Sequence, residues 1–304
     1  MIDAERLGAL LPMSDAVDAL ERAFGSGEVP RAPLRSHVET EAGTLLAMPA
    51  TGTQGSGVKL VTVTPANPGR GLPLIHGLYV LFAPDSQRPE ATIDGAALTA
   101  LRTGAVSALA TRHLAPPEAR RLVLFGAGTQ ARAHLEAMRA VRPIERVVVV
   151  SRSAGRADEL ASTARALGLE ARVGGPEAVA DADLVCTCTT SPTPVLDGSR
   201  LSEGAHVNAV GAFTPDTREL DDEAILRARV VVETREAALA EAGDLLIPIS
   251  AGLITPDHVA ADLAELVTGT VVRRDPSERT VFKSVGVAFE DLVVARAAMD
   301  RMRS

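Results

Sequence analysis

Apolar positions along this chain change their period twice. Residues 1 to about 30 follow helical spacing, and Ala16-Val-Asp-Ala-Leu-Glu-Arg-Ala-Phe24 predicts one helix with Ser14 or Asp15 as its cap. Gly25 to Pro33 reads as a loop. From Leu34 to about Ile93 the pattern turns to short β-prone runs: Thr44 to Met48, Val58 to Thr64, Ile75 to Phe82 and Ala91 to Ile93. Turn clusters such as Pro65-Ala-Asn-Pro-Gly-Arg-Gly71 separate them. This half reads as antiparallel α+β. Asp94-Gly-Ala-Ala-Leu-Thr99 then opens a helix to about Leu114, and Pro116-Pro117 ends it.

Beyond the proline pair, strands and helices alternate. Strands are predicted at 121–125, 146–150, near Ala171, and at 184–189, 205–210 and 229–233, with helices at 129–141 and 155–167. The strand runs are almost wholly apolar, as parallel strands covered on both faces must be. Residues 256–268 read as a helix, and Val285 to about Arg301 as an amphipathic closing helix. The expected fold is α/β: a Rossmann-type doubly wound parallel sheet over 117–285 and an α+β domain over 1–116. The closing helix, about 286–304, is expected to pack back onto that first domain. Two domains also suit 304 residues at about 150 per domain.

Composition removes several function classes. A net charge of −8 opposes nucleic acid as the main partner, and 2% aromatics with no Trp leave no base-stacking platform. No run of about 18 uncharged apolar residues occurs, so no membrane span is expected. The opening Met-Ile-Asp-Ala-Glu-Arg lacks the basic and apolar regions of a signal peptide, which predicts a cytoplasmic protein. Cys186 and Cys188, the only two cysteines, stand in an apolar β-run and read as buried structural cysteines. No histidine has ligand-like spacing, so no metal is expected. His76 reads as a strand histidine satisfied by backbone, with a place near the pocket as the alternative.

The sharpest motif is Leu122-Val-Leu-Phe-Gly126-Ala-Gly128-Thr-Gln-Ala131, an apolar strand running through Gly-x-Gly-x-x-Ala into a helix. Strand, glycine turn and helix in that order form the dinucleotide fingerprint. Gly126 permits the tight turn, Gly128 lets backbone approach a pyrophosphate, and the helix N-terminus faces the phosphates. The next strand ends at Ser151-Arg152-Ser153, with no acid until Asp158. A carboxylate there would bind a ribose 2′-hydroxyl, whereas Arg152 flanked by two hydroxyls suits a 2′-phosphate. A charge-assisted bond is worth about 1.5–3 kcal/mol, or about 10- to 150-fold in affinity. The expected cofactor is NADP(H), with NAD(H) as the alternative.

Two basic residues of the first half stand in apolar surroundings. Lys59 interrupts Gly57-Val-Lys-Leu-Val-Thr-Val63, where a lysine at a strand edge more often snorkels. Arg102 shares a helix face with Leu98, Ala105 and Leu109, and a buried guanidinium needs either a structural carboxylate or a bound anion. Arg35, before the first strand, is ambiguous alone.

These residues join a longer series: Met48-Pro-Ala50, Gly57-Val-Lys59, Gly71-Leu-Pro73, Leu98-Thr-Ala-Leu-Arg-Thr103, Gly126-Ala-Gly-Thr-Gln130, Asn208-Ala-Val-Gly-Ala212, Pro215, Glu219-Leu-Asp221, Glu241-Ala-Gly-Asp244 and Thr280-Val-Phe-Lys-Ser-Val-Gly286. In that order they resemble the ornithine cyclodeaminase/mu-crystallin family over nearly the whole chain. The resemblance implies a homodimer, with a first domain that binds substrate and dimerises. It implies that Arg35, Lys59 and Arg102 hold the carboxylate of a small amino or imino acid, with Arg31 as a weaker stand-in for Arg35. It also implies that Thr129, Gln130, Thr189, Val210 and Ser284 touch the nucleotide and that Val285 lies near the substrate.

Family chemistry is mixed, spanning cyclodeaminases, ketimine reductases, alanine dehydrogenases and proteins known mainly for binding. Cyclodeaminases resemble one another in an acid/base Asp after the Val-Gly segment, and tend to use NAD. Here the segment reads Val210-Gly-Ala-Phe213-Thr-Pro215, and Phe213 can neither relay a proton nor pair with an ammonium. Asp216, three positions on, keeps the ornithine or lysine cyclodeaminase alternative open. An imine reductase needs only a held carboxylate and a hydride within about 3–3.5 Å of the imine carbon. Phe213 would then wall a small ring, and Lys59, crowded by two guanidinium groups, would have a lowered pKa suited to proton transfer. The expected reaction is NADPH-dependent reduction of Δ1-pyrroline-2-carboxylate or its six-membered homologue to L-proline or L-pipecolate. Alanine dehydrogenation and nucleotide-dependent binding with little turnover are the alternatives.

Overall fold

A computed structural model describes residues 1–27, 32–270 and 273–303. The chain forms two compact units, Met1–Arg102 with Val287–Ser304, and Thr103–Gly286. Arg31 and part of the Gly25–Pro33 loop lie outside the described residues.

The first unit opens with α1 (Ala4–Leu10) and α2 (Met13–Gly25), where the sequence predicts one continuous helix. Pro12 divides them, because it has no N–H to donate and its ring crowds the preceding turn. Asp3 caps α1 by accepting the Arg6 N–H, and α2 follows Pro12 with no side-chain cap, so Ser14 and Asp15 do not have the predicted role. An antiparallel meander follows, β1 (Ser36–Thr40), β2 (Gly43–Gly52), β3 (Gly55–Val63), β4 (Ile75–Phe82) and β5 (Pro89–Asp94), paired in chain order. β1 escapes the sequence reading because Ser-His-Val-Glu-Thr is exposed at every position and shows no apolar alternation. His76 lies on an exposed position of β4, opposite Thr62.

In β3 the inward positions are Gly55, Gly57, Lys59 and Val61, so the two-residue period carries a lysine into the core. Asp94 ends β5 and starts α3 (Gly95–Leu114), accepting the N–H groups of Ala96 and Ala97 on Oδ1. The two units divide inside this helix, after Arg102, whereas the sequence boundary was placed at Pro116-Pro117.

The second unit carries β6 (Arg121–Phe125), α4 (Thr129–Val141), β7 (Arg146–Val150), α5 (Ala154–Ala166), β8 (Glu170–Val173), β9 (Leu184–Thr187), β10 (His206–Ala209), α6 (Asp222–Leu226), β11 (Ala228–Val232), α7 (Arg235–Glu241), α8 (Gly243–Ser250), β12 (Val259–Asp262), α9 (Leu263–Val267) and β13 (Arg279–Lys283). All eight strands are parallel, in the order β12-β11-β13-β10-β9-β6-β7-β8. The chain winds outward from β6 to β8 and restarts at β9 on the other side of β6. That reversal leaves a crevice beyond the carboxyl ends of β6 and β9, where ligands of such sheets bind.

Two predictions in this unit need correction. Residues 256–268 are not one helix but a single 3-10 turn (Pro256–His258), strand β12 and the short α9, whose Asp262–Glu265 capping box fixes its start. Pairing of Val259–Asp262 with β11 outweighs the helical preference of an alanine-rich run. Thr280-Val-Phe-Lys283, not predicted as a strand, is β13 and inserts between β10 and β11.

The chain closes with α10 (Ala288–Arg303), which rests on α2, β2 and β3 of the first unit. Phe289 meets Phe24 edge-on at 5.1 Å. α10 buries two carboxylates, Glu290 and Asp291, in this aliphatic surrounding. No helix among the described residues is long and apolar enough to cross a membrane.

Candidate functional site

Lys59 and Arg102 meet at those carboxylates. Lys59 is 1% exposed, and its Nζ lies 3.0 Å from Asp291 Oδ1 and 2.9 Å from Oδ2. Arg102 Nη1 donates to Glu290 Oε2 at 2.9 Å, and its Nε lies 3.3 Å from Asp291 Oδ1. Arg35 is half-buried ahead of β1 and near enough to act on Lys59 electrostatically. Burial pulls the Lys59 ammonium down to about 8; Asp291 opposes that fall, while Arg102 and Arg35 add to it. The shift has the expected direction, but desolvation leads it and the guanidinium groups follow. Sequence reasoning left the partner of Arg102 open between a carboxylate and an anion; α10 supplies two carboxylates. The only advance signal was an acidic pair, Glu290-Asp291, inside an otherwise apolar closing segment.

Gly57 has a steric reason to precede this lysine. Tyr79 lies opposite Lys59 on β4, is fully buried, and leans its hydroxyl over Gly57. A Cβ on residue 57 would stand 1.9 Å from that hydroxyl oxygen. Gly57→Ala should therefore cost about 1–3 kcal/mol in urea unfolding, the usual penalty of overpacking. The Tyr79 hydroxyl has no hydrogen-bond partner among the described residues, so adding Tyr79→Phe should recover part of the loss. A Gly57→Ala protein with an unchanged midpoint would contradict the clash.

The second unit holds a cavity of about 570 Å³ at the β6/β9 crevice. Gly126, Gly128, Ser151, Arg152, Ser153 and Thr189 line it, all expected at the nucleotide. Gly126 has φ +99°, and a Cβ there would lie 2.5 Å from the Cys188 carbonyl oxygen, so only glycine fits the turn. Nothing lies within 4 Å of a Cβ built on Gly128, the N-cap of α4, and no side chain caps that helix. Its first N–H groups are thus available to an anion. Arg156, in the first turn of α5, also lines the wall, and among the described residues no acidic side chain does. Thr129, Gln130, Val210 and Ser284 are not part of this wall; the first two open α4, and the others follow β10 and β13. Cys188, read as purely structural, contributes to it, while Cys186 is buried in β9. Burial pushes both thiols up, Cys186 to about 12 and Cys188 well above its ordinary value, so neither is a nucleophile at neutral pH.

Three buried carboxylates brace the strand ends of this unit. Glu219 Oε1 accepts the N–H and hydroxyl of Thr189, each at 2.7 Å, and Oε2 accepts Thr187 Oγ1 at 2.8 Å and the Gly211 N–H at 2.7 Å. It thereby ties the end of β9 to the loop that carries Phe213. Asp244 accepts the N–H groups of Glu219 and Leu220 and pairs with Lys283 Nζ at 2.8 Å, while Lys283 also donates to the Ala212 carbonyl. Glu233 takes Ser284 Oγ and the N–H groups of Val285 and Gly286. Phe213 is half-buried, Val285 is buried, and Asp216 is exposed. Sequence reasoning recorded Glu219, Asp244 and Lys283 within motifs and gave them no task. No group of three or more His, Cys, Asp or Glu among the described residues is arranged to hold a metal ion.

Comparison with known proteins agrees with this architecture. The model of the ornithine cyclodeaminase/mu-crystallin family matches residues 1–304. A Δ1-pyrroline-2-carboxylate reductase of Bacillus cereus is 38% identical over 317 residues, 99% of this chain and 96% of the relative. The structure of Thermococcus litoralis Δ1-pyrroline-2-carboxylate reductase, in complex with NADH and L-proline, superposes with a TM-score of 0.95 at 35% identity, covering 99% of this chain and 97% of that one. An archaeal alanine dehydrogenase dimer with bound NAD has a TM-score of 0.93 at 33% identity, covering 99% and 95%.

Proposed function

The chain belongs to the ornithine cyclodeaminase/mu-crystallin family, and on that premise we propose that it is an oxidoreductase reducing a cyclic ketimine carboxylate with NADPH. Its substrate is Δ1-pyrroline-2-carboxylate or the six-membered homologue, and its product L-proline or L-pipecolate. Phe213 carries the choice of reaction. Loss of an amine from ornithine needs a group that moves protons, and position 213 offers a hydrocarbon ring, with the nearby Asp216 exposed. The Bacillus cereus and Thermococcus litoralis reductases support the same choice.

When bound, the dihydronicotinamide supplies a hydride to the electrophilic carbon of the protonated imine. The protein's own work is to hold and neutralise. Arg102, Lys59 and Arg35 take the substrate carboxylate in the first unit. With its ammonium pulled down only to about 8, Lys59 keeps a proton at neutral pH and serves to hold one on the imine nitrogen in this reading. The cavity of the second unit fits the nucleotide: an open approach at Gly128, an uncapped helix N-terminus and an acid-free wall bearing Arg152 and Arg156. Those two guanidinium groups support NADPH over NADH. In the same reading the first unit binds substrate and the protein is a homodimer; the archaeal alanine dehydrogenase, a dimer, supports the second point alone.

The test follows NADPH oxidation with five- and six-membered cyclic ketimine acids, and separately with pyruvate plus ammonia. Turnover on a ketimine is the expected result. Inactivity on both ketimines, with ammonia released from ornithine, would overturn the reading. Nucleotide binding without turnover on any of them would move the protein to a binding role.

A further inference from the structure

We infer that Asp291 is a positioning residue of this reaction: one carboxylate bridges Lys59 and Arg102, and so keeps Lys59 in place and charged for the substrate carboxylate. The inference rests on the ketimine reductase reading and assigns a task to a residue that does not itself bind substrate.

The two neighbouring carboxylates of α10 divide the cations unequally. Asp291 reaches both, holding Lys59 Nζ with its two oxygens and lying 3.3 Å from Arg102 Nε, whereas Glu290 pairs with Arg102 at Nη1. Without Asp291 the buried Lys59 ammonium loses the ion pair that holds it beside the Arg102 guanidinium, a costly state. The cluster would relieve it most readily by releasing the Lys59 proton, because guanidinium groups do not deprotonate.

The groups facing Lys59 support this. Asp291 comes from α10, Arg102 from α3, Arg35 from the segment before β1, and Tyr79 from β4; Met48, opposite on β2, does not titrate. Burial raises Tyr79, which stays a neutral phenol. Burial, Arg102 and Arg35 all favour the neutral amine, and Asp291 opposes them. Asp291 is thus the group that favours a charged Lys59, and it does so through direct contact.

The experiment compares the pH profile of kcat/KM in wild type, Asp291→Asn, Asp291→Glu and Glu290→Gln, with folding checked by circular dichroism. Wild-type kcat/KM should fall as pH rises through about 8. In Asp291→Asn the fall should come at least about one pH unit lower, roughly tenfold in the ionisation constant. Asp291→Glu should restore much of the wild-type profile, and Glu290→Gln should raise KM with the fall in place. A folded Asp291→Asn protein whose fall stays at the wild-type pH overturns the inference, as does an equal shift in Glu290→Gln. Should Asp291→Asn not fold, Lys59→Met/Asp291→Asn removes both charges together. Its kcat/KM should equal that of Lys59→Met, and an additional loss would overturn the inference. Binding of pyrrole-2-carboxylate, a planar analogue, measured against pH by calorimetry, separates the two readings. A binding limb that moves with Asp291→Asn supports the Asp291 role even where no ketimine turns over; that absence of turnover counts against the reaction alone.

Discussion

Arg102→Met should leave no measurable ketimine turnover and cost about 3–5 kcal/mol of folding stability, the usual penalty for breaking one side of a buried ion pair. The guanidinium is 5% exposed and serves two fully buried carboxylates from adjacent positions of α10. Removing it takes the Arg102 ion pair from Glu290 in a surrounding that solvates a charge poorly. It also removes a binding group for the substrate carboxylate. The two losses separate in Arg102→Met/Glu290→Gln, where the buried charge is removed with its partner. Urea unfolding of this double variant should recover most of the stability, while turnover stays absent. A stable Arg102→Met protein, or a double variant that regains turnover, would contradict the assignment. Lysine is a poor substitute, because one ammonium cannot span both Glu290 and Asp291 as the guanidinium fork does.

Arg152→Asp should lower kcat/KM for NADPH by about 10- to 150-fold and leave NADH equal or better, reversing the preference. Arg152 is exposed at the end of β7 and lines the crevice with Ser151 and Ser153, where an Asp would accept a ribose 2′-hydroxyl and repel a 2′-phosphate. Arg156 lines the same wall, so the single change leaves one guanidinium. Adding Arg156→Ala should deepen the loss for NADPH and spare NADH. An unchanged NADPH-to-NADH ratio in the double variant would remove both arginines from 2′-phosphate recognition. The Thermococcus litoralis relative, whose structure holds NADH, makes this ratio the informative quantity for this chain.

Local chemistry was legible in the sequence where one segment contains the whole argument. Leu122–Ala131 spells strand, turn and helix, and its Gly126 takes the left-handed turn that the motif requires. The apolar β-runs gave the parallel sheet and hence the fold class. Lys59 stood out because a lysine inside an alternating strand must go inward or to an edge. Long-range satisfaction was not legible. Asp291 and Glu290 lie 232 and 188 positions from the cations they hold. Glu219, Glu233 and Asp244 act on N–H groups that only the sheet brings within reach. Nor does apolar period mark β1, which buries nothing, or β12, whose alanines suit a helix equally well.

Hydride delivery to a cyclic imine leaves an isotopic record in the product. NADPH deuterated at the transferring C4 position would be incubated with Δ1-pyrroline-2-carboxylate and the product analysed by mass spectrometry and NMR. The expected product is proline carrying one deuterium at C2, in step with NADPH consumed. Deuterium remaining on the nucleotide, with proline formed only from ornithine and ammonia released, would contradict it.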